Sequence, residues 1–79
     1  MQLKVKFFAS LAEQIGLTET TVEAQGMTSV RDVWEQATNH QILPDNTLCA
    51  INMTHAQFDD SIKDGDEIAF FPPVTGGSS

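Results

Sequence analysis

From Gln2 to Phe8 the chain alternates, with Leu3, Val5 and Phe7 on one side and Gln2, Lys4 and Lys6 on the other. A period of two is that of a half-buried strand. Ser10-Leu11-Ala12-Glu13 has the spacing of a capping box, and Gly16 can supply the left-handed backbone that stops a helix, so a short helix is expected between them. Thr18 to Ala24, rich in Thr and Val, reads as a second strand suited to a sheet edge. Ser29 stands where it can cap a longer helix, with Asp32 three residues on, near the positive end of the helix dipole. Val30, Val33, Trp34 and Ala37 follow at i, i+3, i+4 and i+7, a single apolar face on a helix running to about Asn39.

Pro44, Asp45 and Asn46 break the chain, and Thr47 to Asn52 reads as a third strand. Met53 to Asp60 fits no single template and holds one large apolar anchor, Phe58. Asp64-Gly65 signals a tight turn before a final strand, Glu67 to Phe71. The order is strand, helix, strand, helix, strand, turn, strand, too short and too mixed for a doubly wound sheet. The economical arrangement is an α+β fold: a mixed sheet of four to five strands with the main helix across one face and a right-handed crossover between parallel strands.

Composition narrows the function classes. A domain of 79 residues buries only about 60 to 65% of the surface its unfolded chain exposes, so its stability is modest. With 41% apolar and 19% charged residues the chain can pack one core. Eleven acidic residues against Lys4, Lys6, Arg31 and Lys63 give a net charge of -7, which repels phosphate backbones and anionic membrane surfaces. Neither nucleic acid nor membrane is expected as a partner. No signal-peptide core follows Lys4 and Lys6, no apolar run reaches the roughly 18 residues of a membrane span, and Cys49 is the only cysteine. A soluble protein of the reducing cytoplasm is expected, with no metal site.

Strand parity singles out a second set of residues. Phe8 and Phe71 are out of phase with the inward Leu3, Val5, Phe7, Ile68 and Phe70, and with Ala50 and Ala69 they form an apolar patch on the uncovered face of the sheet, a feature that marks a partner surface. The bland alternative is that the loop from Met53 to Phe58 covers one of the two phenylalanines. His40 and His55 have no neighbouring nucleophile and read as surface residues. Cys49 shares parity with Ile51 and reads as a small buried residue rather than a reactive thiol, and Trp34 as core. Asp59-Asp60 and Asp64-Asp66 lack calcium-loop spacing and read as solvated turns.

The stretch Asp64-Gly65-Asp66-Glu67-Ile68-Ala69-Phe70-Phe71-Pro72-Pro73-Val74-Thr75-Gly76-Gly77 closely resembles the C-terminal signature of the small-subunit family of molybdopterin synthase. Lys4 to Ala9 is similar to that family's first strand and Ala50-Ile51-Asn52 to its middle strand, so the resemblance spans nearly the whole domain. It implies a ubiquitin-like β-grasp domain over residues 1–73 and a flexible tail over 74–79. The thiamine sulfur carriers share the fold and the Gly-Gly end but generally lack the Phe-Phe-Pro-Pro stretch, which favours the molybdenum branch.

The resemblance also implies a chemistry. A carboxylate is a poor electrophile and needs activation. An E1-like adenylyltransferase would adenylate Gly77 with ATP, and a persulfide sulfurtransferase would supply the sulfur that displaces AMP and leaves a thiocarboxylate. That group would donate sulfur to cyclic pyranopterin monophosphate in the large subunit of a heterotetrameric synthase. ATP is then consumed by the activating enzyme, with no cofactor held tightly by this chain, and the catalytic pocket belongs to the large subunit. Gly76 and Gly77, without Cβ atoms, can thread a narrow channel. Pro72 and Pro73 stiffen the segment before them, and with Val74 they join Phe8, Ala50, Ala69 and Phe71 as expected partner contacts.

Ser78 and Ser79 follow the diglycine, so Gly77 carries no free carboxylate in this sequence. Either the serines were appended in producing the protein, which is favoured, or a protease exposes Gly77, as in some ubiquitin-like precursors. Three rival functions remain: a thiamine thiazole sulfur carrier, a non-covalent ubiquitin-like binding module, and a modifier joined to lysines through Gly77.

Overall fold

The computed structural model describes residues 2–23, 26 and 28–73. The tail residues Val74, Gly76 and Gly77, with Ser78 and Ser79, lie outside the described residues, as does Ala24 at the expected end of the second strand. The elements are β1 (Gln2–Phe7), α1 (Ala9–Ile15), β2 (Glu19–Glu23), α2 (Val30–Thr38), β3 (Leu48–Ile51), β4 (Thr54–Ala56) and β5 (Glu67–Phe71). They build one five-stranded sheet in the order β2-β1-β5-β3-β4. The first and last strands run parallel at its centre, with Val5 opposite Ile68 and Phe7 opposite Phe70. The other three pairings are antiparallel. This is the mixed sheet that the element order predicts, in the β-grasp arrangement that the resemblance implies.

The alternating strands put Leu3, Val5, Phe7, Ile68, Phe70 and Cys49 on one face, and Val30, Val33 and Trp34 of α2 close over it. Trp34 meets Phe70 edge-on, with centroids 5.1 Å apart and planes at 83°, and meets Phe7 in the same way at 6.0 Å. Phe58 stacks on Phe70 at 5.9 Å and carries the Arg31 guanidinium over its ring at 5.6 Å. Edge-to-face aromatic packing of this kind adds to the burial of apolar area.

The two helices start differently. Ser29 accepts from the Asp32 backbone N–H while the Asp32 carboxylate accepts from the Ser29 N–H, the capping box read from the sequence in a Ser/Asp form. The expected box at Ser10 does not form. α1 begins two residues earlier, with Phe8 in the N-cap position and no side-chain cap, which puts Ser10 inside the first turn, where its hydroxyl cannot act as a cap. The chain leaves β1 directly into this helix, with Phe8 N–H bonded to Phe70 O at 3.1 Å, so the strand pairing sets where the helix starts. Gly16 ends α1 in the left-handed region at φ 87°, as expected. Asn39 ends α2 at φ 58°.

The ambiguous segment after Ile51 resolves as a hairpin. Asn52 and Met53 both take positive φ, at 52° and 70°, as the two central residues of a tight turn of the primed kind, and β4 pairs back on β3. Asn52 fixes that turn to the central strand. Its side chain accepts from Glu67 N–H and donates to the Asp66 carboxylate, both at 2.9 Å.

Candidate functional site

The uncovered face of the sheet follows from the register. Lys4 and Lys6 of β1 lie beside Glu67 and Ala69 of β5. Ala69 faces Ala50 and Phe71 faces Leu48 on β3, and Ala50 faces His55 on β4. These residues alternate with the buried set, so the same strands that build the core also present this second face. Phe8, just past the end of β1, is 47% exposed. Leu48, Ala69, Phe71 and Pro72 are half-buried, and Pro73 is exposed.

The structure therefore brings Phe8, Ala69, Phe71, Pro72 and Pro73 to one region at the end of β5. Ala50 is a correction. It belongs to this face by register but is only 6% exposed, because a methyl group between two strands is covered by the larger side chains around it. It contributes to the floor of the patch and not to its surface.

Two members were missed in the sequence. Leu48 has the parity of Ala50 and could have been included on that ground alone. His55 could not have been found by parity, since the segment holding it had no assigned strand. Its ring stands edge-on to Phe71, with centroids 5.6 Å apart and planes at 89°. The segment from Met53 to Phe58 thus does partly cover Phe71, through His55, while Phe58 turns to the core.

Electrostatics border this patch without crossing it. Lys6 pairs with Glu67 at 3.1 Å near the start of β5, about two thirds of each side chain being solvent-shielded, a partly exposed pair of small energetic value. The acidic turns fold back on the backbone. Asp60 accepts from Gln57 N–H at 2.8 Å, Asp66 from Lys63 N–H at 2.7 Å and Asp64 from Gln2 N–H at 3.2 Å. They act as local turn braces, and no cluster of three or more metal-ligating side chains occurs among the described residues. The Asp32 carboxyl is held below the usual carboxylate range, chiefly by the Thr28 backbone N–H, against the opposing effect of partial burial.

Cys49 faces the core, 1% exposed, and its thiol donates to Ala56 O at 3.3 Å. Burial, followed by the negative charge of Asp60, pushes it up to about 11. A thiol of that kind is neutral at physiological pH and a poor nucleophile. Sulfur chemistry at Cys49 has no support in this geometry. What the structure offers instead is a platform: the central strand runs out through Phe71 into Pro72 and Pro73, and the segment beyond carries Gly76 and Gly77.

Comparison with known proteins bears on that platform. The model of the ThiS family matches residues 5–77. The molybdopterin synthase sulfur carrier subunit of Escherichia coli (strain K12) is 44% identical over 84 residues, spanning 95% of this chain and 99% of its own. The subunit of the same name from Haemophilus influenzae is 41% identical, with 95% and 99% covered. Among solved structures, SAMP1 from Haloferax volcanii superposes with a TM-score of 0.81 at 28% identity, over 98% of this chain and all of that one.

Proposed function

The chain belongs to the ThiS family, and on that premise we propose that it is the sulfur-carrier small subunit of a molybdopterin synthase, acting through a thiocarboxylate on Gly77. The observation that carries the reading is the full-length likeness to two sulfur carrier subunits at 44% and 41% identity, in a chain whose sequence carries Gly76-Gly77 shortly after the central strand.

The reaction sequence follows from carboxylate chemistry. The Gly77 carboxylate attacks the α-phosphate of ATP in an E1-like enzyme, and pyrophosphate leaves. The outer sulfur of a persulfide attacks the acyl carbon, and AMP leaves. Cleavage of the resulting acyl disulfide by a thiol frees the thiocarboxylate. In the large subunit the thiocarboxylate sulfur attacks cyclic pyranopterin monophosphate, two carriers serving each dithiolene, and hydrolysis returns the carboxylate. This chain contributes the slim Gly-Gly end, the stiff Pro72-Pro73 root and the apolar face of Phe8, Leu48, Ala69 and Phe71, which docks on the large subunit and aims the tail.

The test compares a chain ending at Gly77 with the 79-residue chain. Two extra residues move the terminal carboxylate by up to about 7 Å along an extended backbone, so the longer chain is expected to fail in sulfur transfer. The assay is ATP-dependent pyrophosphate exchange, then single-turnover conversion of the pterin precursor with large subunit. Equal transfer by the uncleaved 79-residue chain, its mass verified beforehand, would sink the Gly77 mechanism. A second reading, a protein modifier, is favoured by the likeness to a small archaeal modifier protein. It uses the same activated carboxylate, and isopeptide-linked conjugates recovered from cells would establish it.

A further inference from the structure

Among the described residues, one polar side chain stands beside the Phe71 ring, while Lys6 of β1, next to Ala69, turns its ammonium to Glu67. Leu48, Ala50, Ala69, Phe8 and Phe71 carry no side-chain polar atom, and the Lys6–Glu67 ion pair sits toward the other end of β5. His55 is the exception. It is exposed, lies across the ladder from Ala50 and stands edge-on to Phe71. Neither ring nitrogen has a hydrogen-bond partner among the described residues, and none of the residues facing it from β3 or β5 (Leu48, Ala50, Phe71) is titratable. Its β4 neighbours Thr54 and Ala56 have the opposite parity.

In the free protein water satisfies this ring. Docking removes the water, and a polar group buried without a partner is costly. A wholly apolar partner surface is therefore disfavoured at this point. The imidazole carries at least one N–H in both of its charge states, so an acceptor opposite it is satisfied in both, whereas a cationic donor would be repelled by the protonated ring. Resting on the reading that this face docks on the large synthase subunit, we propose that His55 is a specificity-determining residue, selecting a partner surface that is apolar and presents one hydrogen-bond acceptor, a carboxylate or carbonyl oxygen, opposite the imidazole.

The proposal makes binding depend on pH in a defined sense. A carboxylate opposite the ring favours its protonated form in the complex, because the two carry opposite charges, whereas a carbonyl does not offset the charged ring's loss of water. With a carboxylate opposite, affinity therefore rises as the pH is lowered from about 8 to about 5.

The experiment is calorimetric titration of the large subunit of the same organism's molybdopterin synthase with the full chain and with His55→Leu, His55→Gln and Phe71→Ala, at several pH values in that range. Thermal melts of each variant report folding, which an exposed side chain should leave intact. His55→Leu is expected to weaken binding about tenfold or more, since it leaves the partner's acceptor buried and unpaired, and to flatten the pH profile. His55→Gln retains a donor, so most of the affinity should return while the profile stays flat. Equal or tighter binding by His55→Leu, or a slope that survives its removal, overturns the assignment of His55. Unchanged binding by Phe71→Ala overturns the docking reading instead, so the two failures are distinguishable.

Discussion

Phe70 and Phe71 are neighbours in one strand and face opposite ways. Phe70 is fully buried under Trp34 and Phe58, inside a cluster that includes Phe7. Phe71 is half-exposed, touched at its edge by His55 alone among the aromatic rings. The pleat separates them, because successive side chains of a strand point to opposite faces. Chemically identical residues thus take on different tasks, one holding the fold and the other left for recognition. The same division holds for Phe7 and Phe8, 2% and 47% exposed.

The sharpest way to break this comparison is to truncate each phenylalanine. Phe70→Ala should destabilise the domain by about 3 to 5 kcal/mol, the range for an aromatic removed from a packed core. For a small domain with a stability of ~5 kcal/mol, that approaches unfolding. Phe71→Ala should cost the fold under about 1 kcal/mol but weaken association with the large subunit by about 2 kcal/mol. Urea unfolding and titration calorimetry read the two quantities separately. Similar melting losses in both variants would place Phe71 in the core and erase the distinction between the faces.

A smaller effect tests how the covering layer is pinned. Ser29→Ala removes a formed cap and is expected to cost about 1 kcal/mol, while Ser10→Ala, at a site with no cap, should change stability by less than about 0.5 kcal/mol. Because the folded Asp32 carboxyl lies below its ordinary value, its contribution is fully present above about pH 4 and is lost as the pH falls through the folded value. Acid unfolding curves with and without Asp32→Asn should diverge above that window and converge below it.

The smallest effect sits at Cys49, on the covered face. Its thiol is raised from 9.0 to about 11, so the protonated form is favoured in the folded state. The associated stability is complete below pH 9 and is lost as the pH rises toward 11. Cys49→Ala should abolish this alkaline sag, measured as the fall of melting temperature between those limits. Native protein should also resist alkylation at neutral pH, and rapid modification there would show that the covered face opens.

Much of this was legible in the residues. The alternation of β1 and β5, the apolar spacing of α2 and the Ser29–Asp32 box are local signals, and local signals survive into the fold when the tertiary contacts agree with them. Where they were misread, a tertiary contact prevailed. Ser10 had the right neighbours for a cap, but the Phe8 to Phe70 hydrogen bond drew the helix start two residues back. Thr54 to Ala56 has too few residues to announce a strand and becomes one because β3 offers an edge. His55 was legible as a surface histidine, yet its place beside Phe71 depended on that hairpin.

By itself, the sequence determined which side of each long strand is apolar, where the main helix lies, and that a Gly76-Gly77 end follows a Phe-Phe-Pro-Pro stretch, since each is a matter of spacing along the chain. Only the tertiary structure decided that β5 runs between β1 and β3, at the centre of the sheet. It also decided that Ala50 is covered while Phe8 is not, and that His55 meets Phe71. Those are distances between residues far apart in sequence, set by how one sheet and one helix close over a shared core, and no local pattern records them.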